Sequence, residues 1–265
     1  MSLKISFAYL SDPGKVRKNN EDNALVAEEL ALGIVADGMG GHSCGEVASD
    51  LAVKVTREKF ESMRTTGMKP SHYDENLTLE TNQLGFAVQL ANSVVYEAGN
   101  ASPDKKGMGT TLSAILLNGK KLCIAHIGDS RIYLLRDGAL SQLTEDHSLV
   151  MDHVRKGRMT KEQAEKSPLQ NILTRALGTQ KQPPIDLLEI EAREGDRVLL
   201  CSDGLFKPVP EDTIKEIMLA ETDDAGLCAK LVETANINGG PDNITVVAGT
   251  LKKKSFKESL GDLLK

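Results

Sequence analysis

Four aspartates end or border apolar runs in this chain: Asp37 after Ile34-Val35-Ala36, Asp129 after residues 124–128, Asp203 after residues 198–202, and Asp242 just ahead of the run beginning at Ile244. One Asp beside a glycine is ordinarily a turn. Four of them at strand ends are a different matter, because strand ends converge and clustered carboxylates repel unless cations neutralise them. Hard divalent ions take carboxylate and backbone oxygens, and Gly38 leaves its carbonyl open to such an ion. His and Cys fall into no paired spacing of ligand type, so Mg²⁺ or Mn²⁺ is expected rather than zinc. A second group, Arg17-Lys18-Asn19-Asn20-Glu21-Asp22, offers a planar guanidinium fork suited to phosphoryl oxygens. Glu21 and Asp22 can hold metal-bound waters, and Asn243, beside Asp242, is placed with them just outside the ligands.

The elements that must position these residues follow from turns and periodicity. Residues 5–10 and 32–36 read as short strands. Residues 111–117 and 122–127 flank Asn118-Gly119, and 131–136 turns at Asp137-Gly138 into 140–143, which predicts an antiparallel meander. Val47, Leu51 and Val55, with Ala48 and Ala52, predict one helix face running to about residue 63; Leu84, Val88, Ala91 and Val95 predict a second helix ending near residue 99. Residues 65–76 are polar loop. Beyond Asp146 the chain turns helical and charged, Thr160 with Gln163 forms a capping-box pair, and residues 148–178 read as a surface flap. Strands at 185–190, 197–201 and 244–251, and helices near 210–220 and 225–235, complete the pattern. Paired helices and explicit hairpins, without a βαβ repeat, predict an α+β fold of antiparallel sheets covered by helices. Residues 252–265 form a basic tail with Phe256, Leu260, Leu263 and Leu264 on one helical face.

Composition narrows the functions. Of 265 residues, 40% are hydrophobic, 26% charged and only 3% aromatic, so an ordinary globular core must rest on aliphatic residues. The net charge of -6 argues against nucleic acid, whose binding needs a cationic face. Cys44, Cys123, Cys201 and Cys228 lie far apart, and buried free thiols in a reducing cytoplasm are expected. No apolar run approaches about 18 residues and no leader pattern stands at the start, so a cytoplasmic monomer without a membrane partner is expected. A cysteine-dependent phosphatase needs an arginine six positions after its cysteine, and those positions hold Asp50, Asp129, Lys207 and Thr234. Gly14-Lys15 and Gly119-Lys120 are followed by Val16 and Lys121, not the Ser or Thr of a nucleotide-binding P-loop.

Eight ordered segments then carry a resemblance. They are S-D-P-G-K-V-R-K-N-N-E-D-N at 11–23, V-A-D-G-M-G-G-H at 35–42, G-M-G-T-T at 107–111, I-G-D-S-R at 127–131, E-D-H-S-L-V at 145–150, L-T-R-A-L-G at 173–178, C-S-D-G-L at 201–205 and G-P-D-N-I-T-V-V at 240–247. In these the chain resembles the metal-dependent protein phosphatases of type 2C, the PPM family, in compact bacterial form. The resemblance implies one domain over residues 1–251, a four-layer α-β-β-α sandwich, and two Mn²⁺ or Mg²⁺ ions sharing a water that attacks phosphoserine or phosphothreonine. By the same resemblance Asp37 bridges both ions with the Gly38 carbonyl on one. Asp203 and Asp242 bind the other, Asp129 with Asp203 holds a third, weaker ion, and Arg17 binds phosphate. The substrates implied are phosphorylated proteins, products of a Ser/Thr kinase. The alternatives are a catalytically silent phosphoprotein-binding module of the same fold, or a phosphatase of a sigma-factor regulator. Two positions depart from the family pattern. Met39 stands where animal members carry a histidine proposed as general acid, leaving His42 and His147 as candidate proton donors. Lys207 stands where many relatives place an aspartate for the third ion, so weaker third-ion binding is expected.

Overall fold

Alternation with a period of two sorts the apolar residues of a strand onto opposite faces, and here that sorting builds four layers. The computed structural model describes residues 3–40 and 44–254. Its strands are β1 (Leu3–Asp12), β2 (Asp22–Ala27), β3 (Leu32–Met39), β4 (Gly109–Thr110), β5 (Leu112–Asn118), β6 (Lys121–Ile127), β7 (Arg131–Arg136), β8 (Ala139–Gln142), β9 (Asp186–Glu191), β10 (Arg197–Cys201) and β11 (Ile244–Lys253). Its helices are α1 (Cys44–Thr66), α2 (Leu79–Asn100), α3 (Leu149–Arg155), α4 (Lys161–Glu165), α5 (Asp203–Phe206), α6 (Glu211–Ala220) and α7 (Asp224–Ile237). One antiparallel sheet has the order β1-β11-β10-β7-β8, the other β2-β3-β5-β6-β9 with β4 on β3.

Ile34 and Ala36 of β3 face α1 and α2, in a core with Ala48, Phe60, Leu84 and Val88. Val35, between them, faces the second sheet and meets Val198, Leu200 and Val247. Leu199, Cys201, Val246 and Ala248 then point outward to Ile214 of α6 and Leu227 and Leu231 of α7. The molecule is therefore the α-β-β-α sandwich the resemblance implies, with one apolar layer between the sheets and one under each helix pair. All four cysteines are buried. Among the described residues no helix is long and apolar enough to cross a membrane.

Several local expectations shift. The meander is two hairpins in different sheets: β5-β6 belongs to one and β7-β8 to the other, and residues 128–130 cross between them. In the first hairpin the paired residues are Asn118 and Lys121, so the turn is Gly119-Lys120 and only Gly119 takes a positive φ, 59°. Asp137 (φ 50°) and Gly138 (φ 76°) both do so in the second, as a mirror-image two-residue turn requires. The buried face of α1 is Ala48, Ala52, Thr56 and Phe60, with Val47 turned 36% to solvent. Small residues there let the helix lie close on the sheet. β2, which carries Asp22, is absent from the sequence expectation; pairing with β3 and packing against β1 make it a strand. The capping box at Thr160 and Gln163 forms as expected. Residues beyond 254, including the apolar positions of the tail, lie outside the described residues.

Candidate metal centre

The loop carrying Arg17 is laid on the end of the sandwich by backbone contacts. The Lys15 N–H donates to the Gly240 carbonyl at 2.8 Å, and a Cβ on Gly14 (φ 74°) would sit 2.2 Å from the Asp242 carbonyl oxygen. Asn243 fixes the rest of the loop. Its side-chain oxygen accepts from the Glu21 N–H at 2.8 Å, and its amide donates to the carbonyls of Pro13 and Asn19 at 3.1 and 2.8 Å. Asn243 thus clamps the loop from just behind Asp242. Gly38 is needed for crowding as well as for an open carbonyl: a Cβ there would meet the Gly45 and Glu21 carbonyl oxygens at 2.1 and 2.5 Å.

All four aspartates reach one cleft, at the ends of both sheets. Asp37, Asp129, Asp203 and Asp242 line it together with Arg17, Glu21, Gly38, Asn171, Leu173 and Asn243. Its volume, about 220 Å³, suits ions and a phosphoryl group better than a large organic cofactor. Asp37 comes from the end of β3, and Asp203 and Asp242 from the end of β10 and the start of β11. Asp129 sits on the crossing between the sheets. Asp22 lies behind the cleft, buried, accepting from Ser202 Oγ at 2.7 Å. Ser202 Oγ also accepts from the Thr245 N–H at 3.0 Å, so Asp22 joins β2 of one sheet to β10 and β11 of the other.

Among the described residues no three His, Cys, Asp or Glu side chains close into a ready-made ligand cluster. Two carboxylates are instead turned onto cations: Asp242 pairs with Arg17 Nη2 at 2.8 Å, and Asp203 pairs with Lys207 Nζ. The residues nonetheless fit divalent ions, because the cleft is electrostatically unfinished. Asp37 opens to the cleft at its tip but is otherwise enclosed; burial, then Asp22, Asp203, Asp129 and Asp242, push its pKa well above the carboxylate range. Burial and Asp203 raise Asp129 to about 7, against the pull of Lys207. Burial raises Asp22 to about 7, with hydrogen bonds from Ser202 and Thr245 opposing. Oxygen-only donors carrying excess negative charge are the environment in which Mg²⁺ or Mn²⁺ binds.

Of the two expected proton donors, His147 stands outside the cleft lining. His147 is fully buried, its Nδ1 accepting from the Gly128 N–H at 3.1 Å and its Nε2–H donating to Asp186 Oδ2 at 3.0 Å. Both nitrogens are occupied away from the cleft. His42 lies outside the described residues. Met39 lines the cleft, and among the described lining residues there is no histidine. Sequence reasoning misses Thr111, Asn171 and Leu173 as lining residues. Thr111 and Leu173 stand in quoted motifs, whereas Asn171 carries no local signal. The flap is clipped where it borders the cleft: Ser148 bridges to Leu173, and the Leu149 N–H donates to the Ile172 carbonyl at 2.8 Å.

Fold and cleft together define the class, an α-β-β-α sandwich with an acidic site built jointly by its two sheets. The chain belongs to the protein phosphatase 2C family, whose model matches residues 16–237. It is 42% identical over 93% of its length to the serine/threonine protein phosphatase PstP of Mycobacterium tuberculosis, but it spans only 45% of that longer protein. It is 38% identical to the serine/threonine phosphatase stp of Listeria monocytogenes, covering 90% of this chain and 93% of that one. A crystal structure of the PstP catalytic domain with two manganese ions superposes with a TM-score of 0.81 at 40% identity, covering 95% of this chain and all of that one.

Proposed function

We propose that this chain is a protein-serine/threonine phosphatase. Asp37, the Gly38 carbonyl, Asp203 and Asp242 would hold two divalent ions, Mn²⁺ or Mg²⁺, and Asp129 with Asp203 would take a third. When bound, such ions supply a nucleophilic water at neutral pH and offset the charge of the phosphoryl group. The observation that carries this reading is the convergence of four aspartates from both sheets on one cleft with Arg17 at its rim. Arg17 is 55% exposed and rests on Asp242. Were Asp242 engaged by an ion, the Arg17 guanidinium fork would be released from this contact and open to phosphoryl oxygens. Asn243 and Gly14 hold the loop that sets the reach of Arg17. Asn171 and Leu173 form a wall where a phosphopeptide would lie, so the flap contributes to substrate choice. The substrates are phosphoproteins made by a Ser/Thr kinase.

The test is hydrolysis of p-nitrophenyl phosphate and of a phosphothreonine peptide by the purified chain. Activity should require Mn²⁺ or Mg²⁺, vanish with chelator, and fall on the order of a hundredfold or more in Asp37→Asn. Metal binding without hydrolysis of either substrate would instead favour a silent phosphoprotein-binding module.

A further inference from the structure

Every polar atom of the buried residue His147 is engaged. Its N–H donates to the Gly128 carbonyl at 2.8 Å, and its carbonyl accepts from the Thr174 N–H at 2.8 Å. Its Nδ1 accepts from the Gly128 N–H at 3.1 Å, and its Nε2 meets Asp186 Oδ2 at 3.0 Å. A backbone amide only donates and a carboxylate only accepts, so the ring is neutral with its proton on Nε2. The other oxygen of Asp186 accepts from Arg175 Nη1 at 2.7 Å. His126 backs the ring at 4.8 Å and is itself held by Ser113 Oγ at 2.9 Å and the Glu145 carbonyl at 3.0 Å.

Gly128 immediately precedes Asp129. It adopts φ 110°, and a Cβ there would fall 2.5 Å from Thr111, so the turn has no slack on that side. On the other side both of its backbone polar groups end on His147. Arg175 directly follows residues 171–174, in which Asn171 and Leu173 line the cleft.

We infer that His147 is a positioning residue: it fixes Asp129 in the cleft through Gly128, while Asp186 and Arg175 hold the ring's tautomer and tie that setting to the cleft wall at 171–175. A hydrogen-bonded partner behind a ligand controls the ligand's placement, and small displacements at a reacting centre cost large factors in rate. The consequence for turnover rests on the proposed phosphatase reading; the clamp itself does not.

Two substitutions divide the ring's functions. Asparagine puts an amide oxygen near the place of Nδ1 and nothing at Nε2. Glutamine reaches the place of Nε2 and gives Gly128 no acceptor. In the full chain loaded with Mn²⁺, His147→Gln should speed hydrogen exchange at the Gly128 amide about tenfold and lower kcat about tenfold, with KM nearly unchanged. The same substitution in an Asp129→Asn background should cost no more than about twofold. Calorimetric titration with Mn²⁺ should show weakened binding of the ion that Asp129→Asn removes. His147→Asn should keep the Gly128 protection and most of kcat. Equal losses in the two His147 variants, or a loss as large in the Asp129→Asn background, would mean a general packing role and overturn the inference. Should His147→Gln fail to fold, Asp186→Asn, which removes the charge anchoring the ring, is read the same way, and unchanged Gly128 exchange there overturns it. An inactive wild-type chain would strike the phosphatase reading alone, leaving exchange and Mn²⁺ titration to decide on the clamp.

Discussion

Lys207 puts an ammonium group among the cleft carboxylates. Its Nζ pairs with Asp203 and donates to Asn171 Oδ1 at 2.7 Å, with its side chain only 27% exposed. Burial works against that charge, and Asp203, Asp129 and Asp37 outweigh it and hold the proton more tightly than usual. A divalent ion between Asp129 and Asp203 has to share the site with this cation. At about 6 Å and an effective dielectric constant of about 20, the two repel by roughly 5 kcal/mol before screening. A third ion is therefore expected to bind far more weakly than the first two. Lys207→Met removes the repulsion and Lys207→Asp adds a ligand besides. In calorimetric titration, Mn²⁺ affinity at the weakest site should rise at least about tenfold in the first and further in the second. Identical isotherms for all three proteins would refute this account. The tether to Asn171 belongs to the same residue, so both substitutions should also loosen the flap edge, read as faster amide exchange at residues 171–173.

Glu189 shows how one side chain secures an element. Among the described residues β9 is an edge strand, paired only with β6. Glu189 accepts from the Thr78 N–H, Thr78 Oγ1 and Thr81 Oγ1, each at 2.6 Å, and pairs with Lys121 of β6. Thr78 is also the N-cap of α2, so the carboxylate pins β9 to the positive end of that helix. Burial pushes the Glu189 pKa up, but the hydrogen bonds from Lys121, Thr78 and Thr81 outweigh it and hold it at about 2, from an ordinary 4.5. A depressed folded pKa means stability that is complete above the unfolded value and lost as pH falls through the folded one. Glu189→Gln should cost about 1–2 kcal/mol at neutral pH, and the gap to wild type should close as pH falls from about 4.5 toward 2. Denaturant melts giving the same gap at both ends of that interval would refute the staple. Such contacts between distant segments are invisible in sequence, and they mark where legibility stops. β7 and β10 stand where the short apolar runs within 131–136 and 197–201 put them. The crossing at 128–130 is not legible, because the same turn residues serve a chain that stays in its sheet and one that leaves it. β2 is weakly patterned and depends on β3. The cleft aspartates are legible because each abuts an apolar run. Asn171 is not, since nothing local says which side of the flap faces the carboxylates.

At the scale of the whole molecule the cleft is a seam. Asp37 stands on one sheet, Asp203 and Asp242 on the other, and Asp129 on the crossing between them. The sheets adhere through an apolar layer that includes Val35, Ile132, Val198 and Val247, and the carboxylates at its end oppose that adhesion. Acids whose folded pKa is raised bind more protons folded than unfolded, so the stability they contribute is present at low pH and lost as pH rises through the folded value. For Asp22 and Asp129 that interval runs from the ordinary 3.8 to about 7, and Asp37, raised by burial and by its carboxylate neighbours, acts in the same direction. Divalent ions bind the ionised carboxylates only, so the stability they add grows over the same interval. The melting temperature of the chelated chain should therefore fall between about pH 5.5 and 8. Saturating Mn²⁺ or Mg²⁺ should add little at the acid end and roughly 5–10 °C at the alkaline end. Because the carboxylates proposed to hold the ions come from both sheets, the gain should appear as one shifted transition of the whole sandwich, and Asp37→Asn should remove most of it. An ion effect independent of pH, or one that splits the transition in two, would show that the ions do not join the sheets.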